Sequence, residues 1–447
     1  MPVKLSEMAE VLREIRVKPV KSLGQNFLHD QNLAIWIVEQ AKLTPGDYVV
    51  EIGPGLGALT KHALVSSAHV LALEKDARLA KFLREKLTDE RLEILHADAL
   101  SFDVRKLFAQ RCVKLIGNLP YYVSSELLFK FIKFPSPIAL SVLMLQKELA
   151  ERLCASPGTK SYGAMTLLIQ EHYSVEYLRT VRASVFLPRP DVDSAMVRLT
   201  PRATDELPDH DCELFAQMVR RGFSQRRKQL GKLLRAECPN WPEAAAAIGF
   251  DAKTRAEQLS LEQWIALTNF LRPIIIPARI IIETERFQVV DKEDRALGCA
   301  SRAKVHGNNL LHRAVHILIS NAEGEIYLQK RSRWKDRHPG QWDSSAAGHV
   351  NAGEQYDNAA QRELEEELGV AATLERVLKL PASQKTGQEF IWLYRARHDG
   401  PFQLERAEIE TGEFFPPEII SAWMEARPEE FAPGFMECWR AFRQDRP

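Results

Sequence analysis

This chain of 447 residues has no paired cysteine spacing, no long apolar run and no excess charge of either sign. Its six cysteines, at 112, 154, 212, 238, 299 and 438, are too scattered for a disulfide framework or a cysteine-based zinc site, and a reducing compartment is expected. The greasiest short run, Ile274 to Ile282, is broken by Pro277 and Arg279 and is far too short to span a bilayer. The opening Met-Pro-Val-Lys-Leu-Ser-Glu-Met lacks the apolar core of a signal peptide. These absences argue against a membrane role and predict a cytoplasmic protein. Low-complexity tracts and short-period repeats are also missing, so the whole chain should fold, and its length predicts two or three domains.

The 60 basic residues balance the 60 acidic ones only on average. Between Gln217 and Arg235 stand Arg220, Arg221, Arg226, Arg227, Lys228, Lys232 and Arg235 with no acidic residue, whereas glutamates crowd the chain from Glu405 to Glu430. Zero net charge therefore conceals unlike domains.

From residue 48 to 146 short apolar strands alternate with helical stretches. The expected strands are Tyr48 to Ile52, His69 to Leu73, Leu92 to His96, Val113 to Ile116 and Ala139 to Leu145. Runs of Val, Ile and Leu with little polar alternation predict parallel strands covered on both faces, hence a doubly wound α/β sheet. Each strand stops at a polar or glycine residue: Glu51 and Gly53, Glu74, Asp98, Asn118, Gln146. Ligands of such sheets lie beyond the carboxyl ends of the strands, so these residues should line one cleft. A last strand is expected near Ala195 to Leu199. The pattern then turns helical until about Phe270, Pro273 and Pro277 punctuate a linker, and strand-like segments return from Glu285.

Val49-Val50-Glu51-Ile52-Gly53-Pro54-Gly55-Leu56-Gly57 is a strand running into a glycine-rich turn that lets backbone approach a ligand closely. Glu74 follows Gly53 by 21 residues, where a carboxylate accepts bonds from a ribose diol. Both NAD and S-adenosylmethionine fit so far. Asn118-Leu119-Pro120-Tyr121 separates them. The exocyclic amine of adenine is a poor nucleophile because its lone pair is delocalised into the ring. An Asn carbonyl, with the main-chain carbonyl before Pro, accepts the amine hydrogens and localises that pair, while Tyr121 offers a stacking face for a base taken out of its helix.

Together with Lys21-Ser22-Leu23-Gly24-Gln25-Asn26-Phe27-Leu28, His96-Ala97-Asp98-Ala99-Leu100 and Val185-Phe186-Leu187-Pro188-Arg189-Pro190-Asp191-Val192-Asp193-Ser194, these motifs resemble the ribosomal RNA adenine dimethyltransferases over roughly residues 15 to 272. The resemblance implies that Asn26, Leu28, Gly53, Glu74, Asp98 and Asn118 contact S-adenosylmethionine, with Asp98 near its adenine. It implies that Phe186 is the second aromatic face for the target base. It further implies dimethylation at N6 of two adjacent adenosines in a hairpin loop near the 3′ end of small-subunit (16S-type) ribosomal RNA, free or in a pre-ribosomal subunit. Arg189 stands where the family usually has Pro. The basic segment Arg220-Arg221-Gly222-Phe223-Ser224-Gln225-Arg226-Arg227-Lys228, with its interleaved Phe223, suits phosphate contacts to RNA.

Farther along, Gly348, Glu354, Arg362, Glu363, Leu364, Glu366, Glu367, Gly369 and Val370 stand in one fixed spacing. Ala359 through Leu368 reads as a helix that Gly369 terminates, with Glu363, Glu366 and Glu367 at i, i+3 and i+4 on one face. Three carboxylates there repel unless a cation neutralises them, and hard oxygen ligands suit Mg2+ or Mn2+. The spacing matches the Nudix box at every specified position. That resemblance implies metal-assisted attack of water on a diphosphate, with Glu363, Glu366 and Glu367 on the metals, Glu363 and Glu367 catalytic, Arg362 orienting a carboxylate, and Glu408 or Glu410 completing the site. The preceding His338-Pro339-Gly340-Gln341-Trp342-Asp343-Ser344-Ser345-Ala346-Ala347-Gly348-His349 also resembles isopentenyl diphosphate isomerases. Those isomerases carry a catalytic cysteine where this chain has Ala347, so hydrolysis is the expected chemistry.

The expected architecture is thus a doubly wound α/β methyltransferase sheet over residues 1–200, a helical RNA-contacting domain over 201–272, a linker over 273–284 and an α/β/α Nudix domain over 285–447. The competing readings are an NAD-dependent front half and a back half that binds a nucleotide without turnover or acts on prenyl diphosphates as an isomerase does.

Overall fold

The computed structural model describes residues 5–19, 25–66, 68–203, 205–272 and 285–444. The expected linker over 273–284 and the Lys21 to Gly24 part of the N-terminal motif lie outside the described residues. By contact the chain divides into two compact units, Met1–Pro273 and Ile274–Pro447. Among the described residues no helix is long and apolar enough to cross a membrane.

The first unit is organised by a seven-stranded sheet: β1 (Tyr48–Ile52), β2 (His69–Glu74), β3 (Leu92–His96), β4 (Val113–Asn118), β5 (Ile138–Gln146), β6 (Tyr173–Val181) and β7 (Ser194–Pro201). Their spatial order is β3-β2-β1-β4-β5-β7-β6. The first five are mutually parallel; β7 runs antiparallel to β5, and β6 antiparallel to β7. Successive residues of one strand enter different apolar clusters. Val50, Leu71, Leu115 and Leu143 face one layer, and Val49, Val70, Ile116 and Val142 the other. Burial on both faces is why these strands read as continuous apolar runs. The chain reverses its winding direction between β1 and β4, which places a crevice beyond the carboxyl ends of those two strands.

Strand β6 was not expected from the sequence. It forms the sheet edge, its burial alternates irregularly, and a register shift falls between Tyr177 and Arg179, so no clean period marks it. The helices that follow are Cys212–Gly222, Leu230–Leu233, Trp241–Ile248 and Leu261–Leu271. Asp211 caps the first by accepting from the Glu213 and Leu214 amides, and Ser260 caps the last by accepting from Gln263. Their core of Phe215, Met218, Val219, Leu230, Trp241 and Trp264 also takes in Tyr162 and Leu167, so the helical segment shares a core with residues that precede β6.

In the second unit the strand His312–Ser320 pairs in parallel with Glu389–Arg397 and antiparallel with Ala346–His349. Ile326–Arg331 pairs antiparallel with Ile409–Phe415 and touches the long strand only at Ile319 and Ser320. The helix Tyr356–Leu368 lays Ala359, Ala360, Leu364 and Leu368 against Val315, Ile317 and Tyr394. It ends at Gly369, whose φ of 66° is the left-handed conformation that closes a helix. Trp423, Phe435 and Trp439, carried by Pro417–Ala426 and Pro433–Gln444, complete an aromatic core with Trp342 and Phe431. The mixed α/β class expected for both units is the class observed.

Candidate functional site

A cavity of about 430 Å³ opens at the carboxyl ends of β1 to β4. Asn26, Gly53, Glu74, Asp98 and Asn118 all line it. Gly53 and Gly55 adopt φ of 68° and 58°, which brings the turn's amides inward. The Glu74 carboxylate accepts from the Gly55 amide at 3.0 Å and the Asp76 amide at 2.8 Å, and each oxygen keeps a further lone pair. Among the described residues the Asn118 side chain makes one bond: its Nδ2 donates to the Asn26 carbonyl at 2.8 Å, which leaves Oδ1 as the acceptor end of the amide without a partner there. Asp98 accepts from the Leu100 amide and pairs with Lys75 at 2.7 Å; that ammonium holds its carboxyl below the usual range. Beside the cavity the Tyr121 hydroxyl meets Ser194 Oγ at 2.5 Å, and burial pushes its ionisation up.

Leu28 and Phe186 are placed differently. They face each other in a two-residue antiparallel ladder, Phe27–Leu28 with Phe186–Leu187, both buried in the apolar layer behind the sheet and neither among the cavity's lining residues. Lys75 and the half-exposed Tyr122 do line the cavity, although no spacing in the sequence marked them.

In the second unit Glu363 and Glu367 point inward from their helix, while the Glu366 side chain is 60% exposed. Gly348 is required by space: a Cβ there would fall inside the Glu363 carboxylate. Arg362 ties the motif together. It donates to Glu354 at 3.0 and 3.1 Å, to Glu363 at 2.7 Å, to Glu366 at 2.9 Å and to the His349 carbonyl at 3.0 Å. Glu367 Oε2 accepts from Gln329 Nε2 and from the Ala347 amide, each at 3.0 Å. Burial raises both inner carboxyls; the neighbouring Glu367 adds to the rise of Glu363, to about 7, while Lys335, the Ala347 amide and Arg331 oppose that of Glu367. Lys335, also buried, is pushed down to about 8 by desolvation and Arg331, and drawn back up by Glu367 and Glu363. Its ammonium pairs with Glu408, whereas Glu410 pairs with Lys330 at 3.0 Å. Of the two downstream acids, Glu408 is therefore the one joined to the buried carboxylates.

Residues 17–272 match the family model for ribosomal RNA adenine dimethylase, more than half of the chain. The chain belongs to the ribosomal RNA adenine dimethylase family. Residues 310–435 match the NUDIX domain model, so the chain is an enzyme that adds a Nudix hydrolase domain to its dimethylase region. The ribosomal RNA small subunit methyltransferase A of Geobacillus thermodenitrificans is 38% identical over 278 residues, covering 59% of this chain and 95% of the relative. That of Prosthecochloris aestuarii is 42% identical over 262 residues, covering 58% and 96%. Among solved structures, the 23S rRNA methyltransferase ErmE is 28% identical, with a TM-score of 0.47, covering 55% of this chain and 99% of that one.

The dimethylase's basic segment divides into two kinds of arginine. Arg221 pairs with Glu237 at 2.9 Å and donates to the Leu233 carbonyl, and Arg226 pairs with Glu257 at 3.0 Å and donates to the Lys160 and Tyr162 carbonyls. Arg220, Arg227 and Lys228 are exposed and have no ion-pair partner among the described residues. Phe223 corrects a sequence expectation: it stacks on Trp264 at 6.0 Å and meets Tyr162 edge-on, so it belongs to the helical core and is not interleaved among the charges as an open face.

Beneath the dimethylase's glycine turn, Glu51 is 1% exposed, and its Oε2 has no hydrogen-bond partner among the described residues. Burial, reinforced by nearby Glu74, raises it to about 7. The folded state thus keeps a proton that the unfolded chain releases near 4.5, and the stability this contributes is lost as pH rises from about 4.5 through about 7. Its size is up to about 3 kcal/mol. Denaturant unfolding of the Glu51→Gln variant should show that pH slope flattened; an unchanged slope between about pH 5 and about pH 8 would assign it to other groups.

Proposed function

We propose that the dimethylase region transfers two methyl groups to N6 of each of two adjacent adenosines in a hairpin loop near the 3′ end of small-subunit ribosomal RNA, in the cytoplasm. The observation that carries this reading is the orientation of Asn118. With Nδ2 committed to the Asn26 carbonyl, Oδ1 is the atom offered to an amine, and an acceptor is what N6 needs to localise its lone pair. The cavity fits S-adenosylmethionine. Glu74 retains acceptor capacity for a ribose diol beside amides that already orient it, Asp98 stands ready for the exocyclic amine of the cofactor's adenine, and Gly53 leaves its cavity side open. When bound, that cofactor supplies an electrophilic methyl group. Tyr121, its hydroxyl fixed by Ser194, is given the stacking face for the flipped adenine. Leu28 supports Phe186 from the paired strand.

Arg220, Arg227 and Lys228 are assigned the phosphate contacts, with Arg221 and Arg226 shaping the segment through Glu237 and Glu257. For the Nudix domain we propose hydrolysis of a diphosphate-containing small molecule. Glu363, Glu366 and Glu367 would hold Mg2+ or Mn2+, with Glu408 as the further acid. The fit rests on two buried carboxyls that repel each other and are only partly neutralised by Lys335 and Arg362. A divalent cation there supplies charge stabilisation at phosphoryl oxygens and an acidified water. Arg362 keeps Glu363 and Glu354 in register, and Ala347 supplies no thiol for alkene protonation, which leaves isomerisation without its acid.

Asn118→Ala should lower the methylation rate of small-subunit RNA by roughly 10²- to 10³-fold with the fold retained, as judged by circular dichroism. Methyl transfer at the parental rate would remove Asn118 from the mechanism. Arg227→Ala or Lys228→Ala should weaken RNA binding and reduce the slope of log affinity against log salt by about 1 each, measured by fluorescence anisotropy. A slope equal to the parent's would place the RNA surface elsewhere. In a screen of nucleoside diphosphate derivatives, capped nucleotides and prenyl diphosphates, Glu367→Gln should abolish metal-dependent phosphate release. Turnover that survives this change would show that the activity resides outside the box.

A further inference from the structure

A cluster of ligand-type side chains stands in the dimethylase unit, and none of its members lines the cavity at the carboxyl ends of β1 to β4. Glu171 and His172 form the turn between the helix Ala164–Gln170 and β6, while His210 and Cys212 flank Asp211, which caps the helix Cys212–Gly222. One ligand atom from each of Glu171, His172 and Cys212 lies within 4.8 Å of the other two. The fourth member, His210, sets its Nε2 3.0 Å from Glu171 Oε1. The Glu171 and His210 side chains are only 3% and 7% exposed.

Both sides of the cluster are held by backbone. The turn is fixed where the Glu171 amide donates to the Leu167 carbonyl at 2.9 Å and the Arg202 amide to the His172 carbonyl at 2.8 Å. The facing segment is fixed where Asn269 donates to the Asp209 carbonyl at 2.7 Å and Arg272 pairs with Asp211 at 2.5 Å. A count of protons then exposes a conflict. His210 Nδ1 lies 2.9 Å from the Pro208 carbonyl, an acceptor, so Nδ1 carries hydrogen and in the neutral ring Nε2 presents a bare lone pair. That lone pair faces a carboxylate oxygen, another acceptor. The second oxygen, Glu171 Oε2, has His172 Nε2 at 3.7 Å. Buried acceptors that face each other need a positive centre, either a proton on His210 or a metal ion. The convergence of His172 and Cys212 on the same carboxylate favours the ion, because a proton on His210 uses neither. The imidazoles are braced by rings: Phe134 stacks on His172 at 4.8 Å, and Phe215 lies 5.2 Å from His210.

We propose that Glu171, His172, His210 and Cys212 bind one divalent transition-metal ion, zinc by the chemistry of the donors, which fastens the start of the helix Cys212–Gly222 to the turn that leads into β6. Two imidazoles, a thiolate and a carboxylate are a borderline-soft set that suits zinc, and a single thiolate needs no paired cysteine spacing. Magnesium, which takes oxygen ligands, is disfavoured. Four protein ligands close a tetrahedral shell without leaving a position for substrate, the pattern of a structural ion. The bond from His210 Nδ1 to the Pro208 carbonyl is the outer contact that usually orients a metal-bound imidazole. Bringing the donors to about 2.0 to 2.3 Å from one ion takes side-chain rotation at His172 and Cys212, the less buried members. The helix so fastened carries Arg220 and Arg221 in its last turn, so the ion sets where the basic segment begins.

The test uses the full-length chain, stripped with a chelator under reducing conditions and titrated with Co2+ alone and, separately, with Zn2+ as competitor. The expected result is a thiolate-to-Co2+ absorption band with a tetrahedral visible spectrum, saturating at about one ion per chain and displaced by Zn2+. Only an ion bound by sulfur gives that band, so ions held elsewhere by oxygen or nitrogen donors do not enter the reading. Cys212→Ser should abolish the band, and Cys154→Ser should keep it. His172→Asn and His210→Asn, with circular dichroism equal to the parent's, should weaken Co2+ affinity by more than the roughly 10- to 100-fold that loss of an outer contact costs. The proposal is overturned if the stripped protein gives no thiolate band, which would leave Glu171 and His210 as an ion pair made by a proton. It is equally overturned if the band survives Cys212→Ser, which would assign it to chance binding by another thiol, or if His172→Asn and His210→Asn bind Co2+ as the parent does.

Discussion

A carboxylate taken out of water must be met by a proton, a cation or a set of amide hydrogens, and this constraint shapes both units. Under the glycine turn, Glu51 is met by a proton, and Glu74 by two backbone amides. On the box helix, Glu363 is met by Arg362 and Glu367 by Gln329 and the Ala347 amide, with Lys335 charging the space between them. At Glu389 the partners are imidazoles. At Glu74 and on the box helix the fold supplies less positive charge than the acids would take up, and the shortfall lies where a ligand is expected.

Position is set by backbone as much as by side chains. The reversal of winding between β1 and β4 brings Gly53 and Asn118 to the same crevice, and the Asn26 carbonyl then decides which end of the Asn118 amide faces it. In the Nudix unit the equivalent service is done by a space: Gly348 leaves the volume that the Glu363 carboxylate occupies. A side chain there would displace the acid without touching its charge.

The strands buried on both faces were legible because their sequences are continuously apolar, and their polar endings marked the cleft because parallel sheets bind ligands at that edge. Strand β6 was not legible, since an irregular edge strand has neither period nor apolar continuity. Phe223 was misread because charges adjacent in sequence say nothing about which way a ring between them turns; its partners Tyr162 and Trp264 are distant in the chain. Lys335 lies outside the fixed spacing of the box, so only the fold brings it to Glu363 and Glu367. Glu389 and the three histidines near it, His306, His312 and His349, come from four segments with no shared spacing.

The short strand Ala346–His349 carries a consequence for inheritance. Within three residues it gives an amide to Glu367, an empty side-chain position to Glu363 and the His349 imidazole to Glu389, and its antiparallel register pairs Gly348 with Val315 and His349 with Ala314. A slip of one residue would turn every position to the opposite face and break all three relations together. The register of this strand thus holds the glutamate face and His349 together: an insertion or deletion within it disturbs both at once.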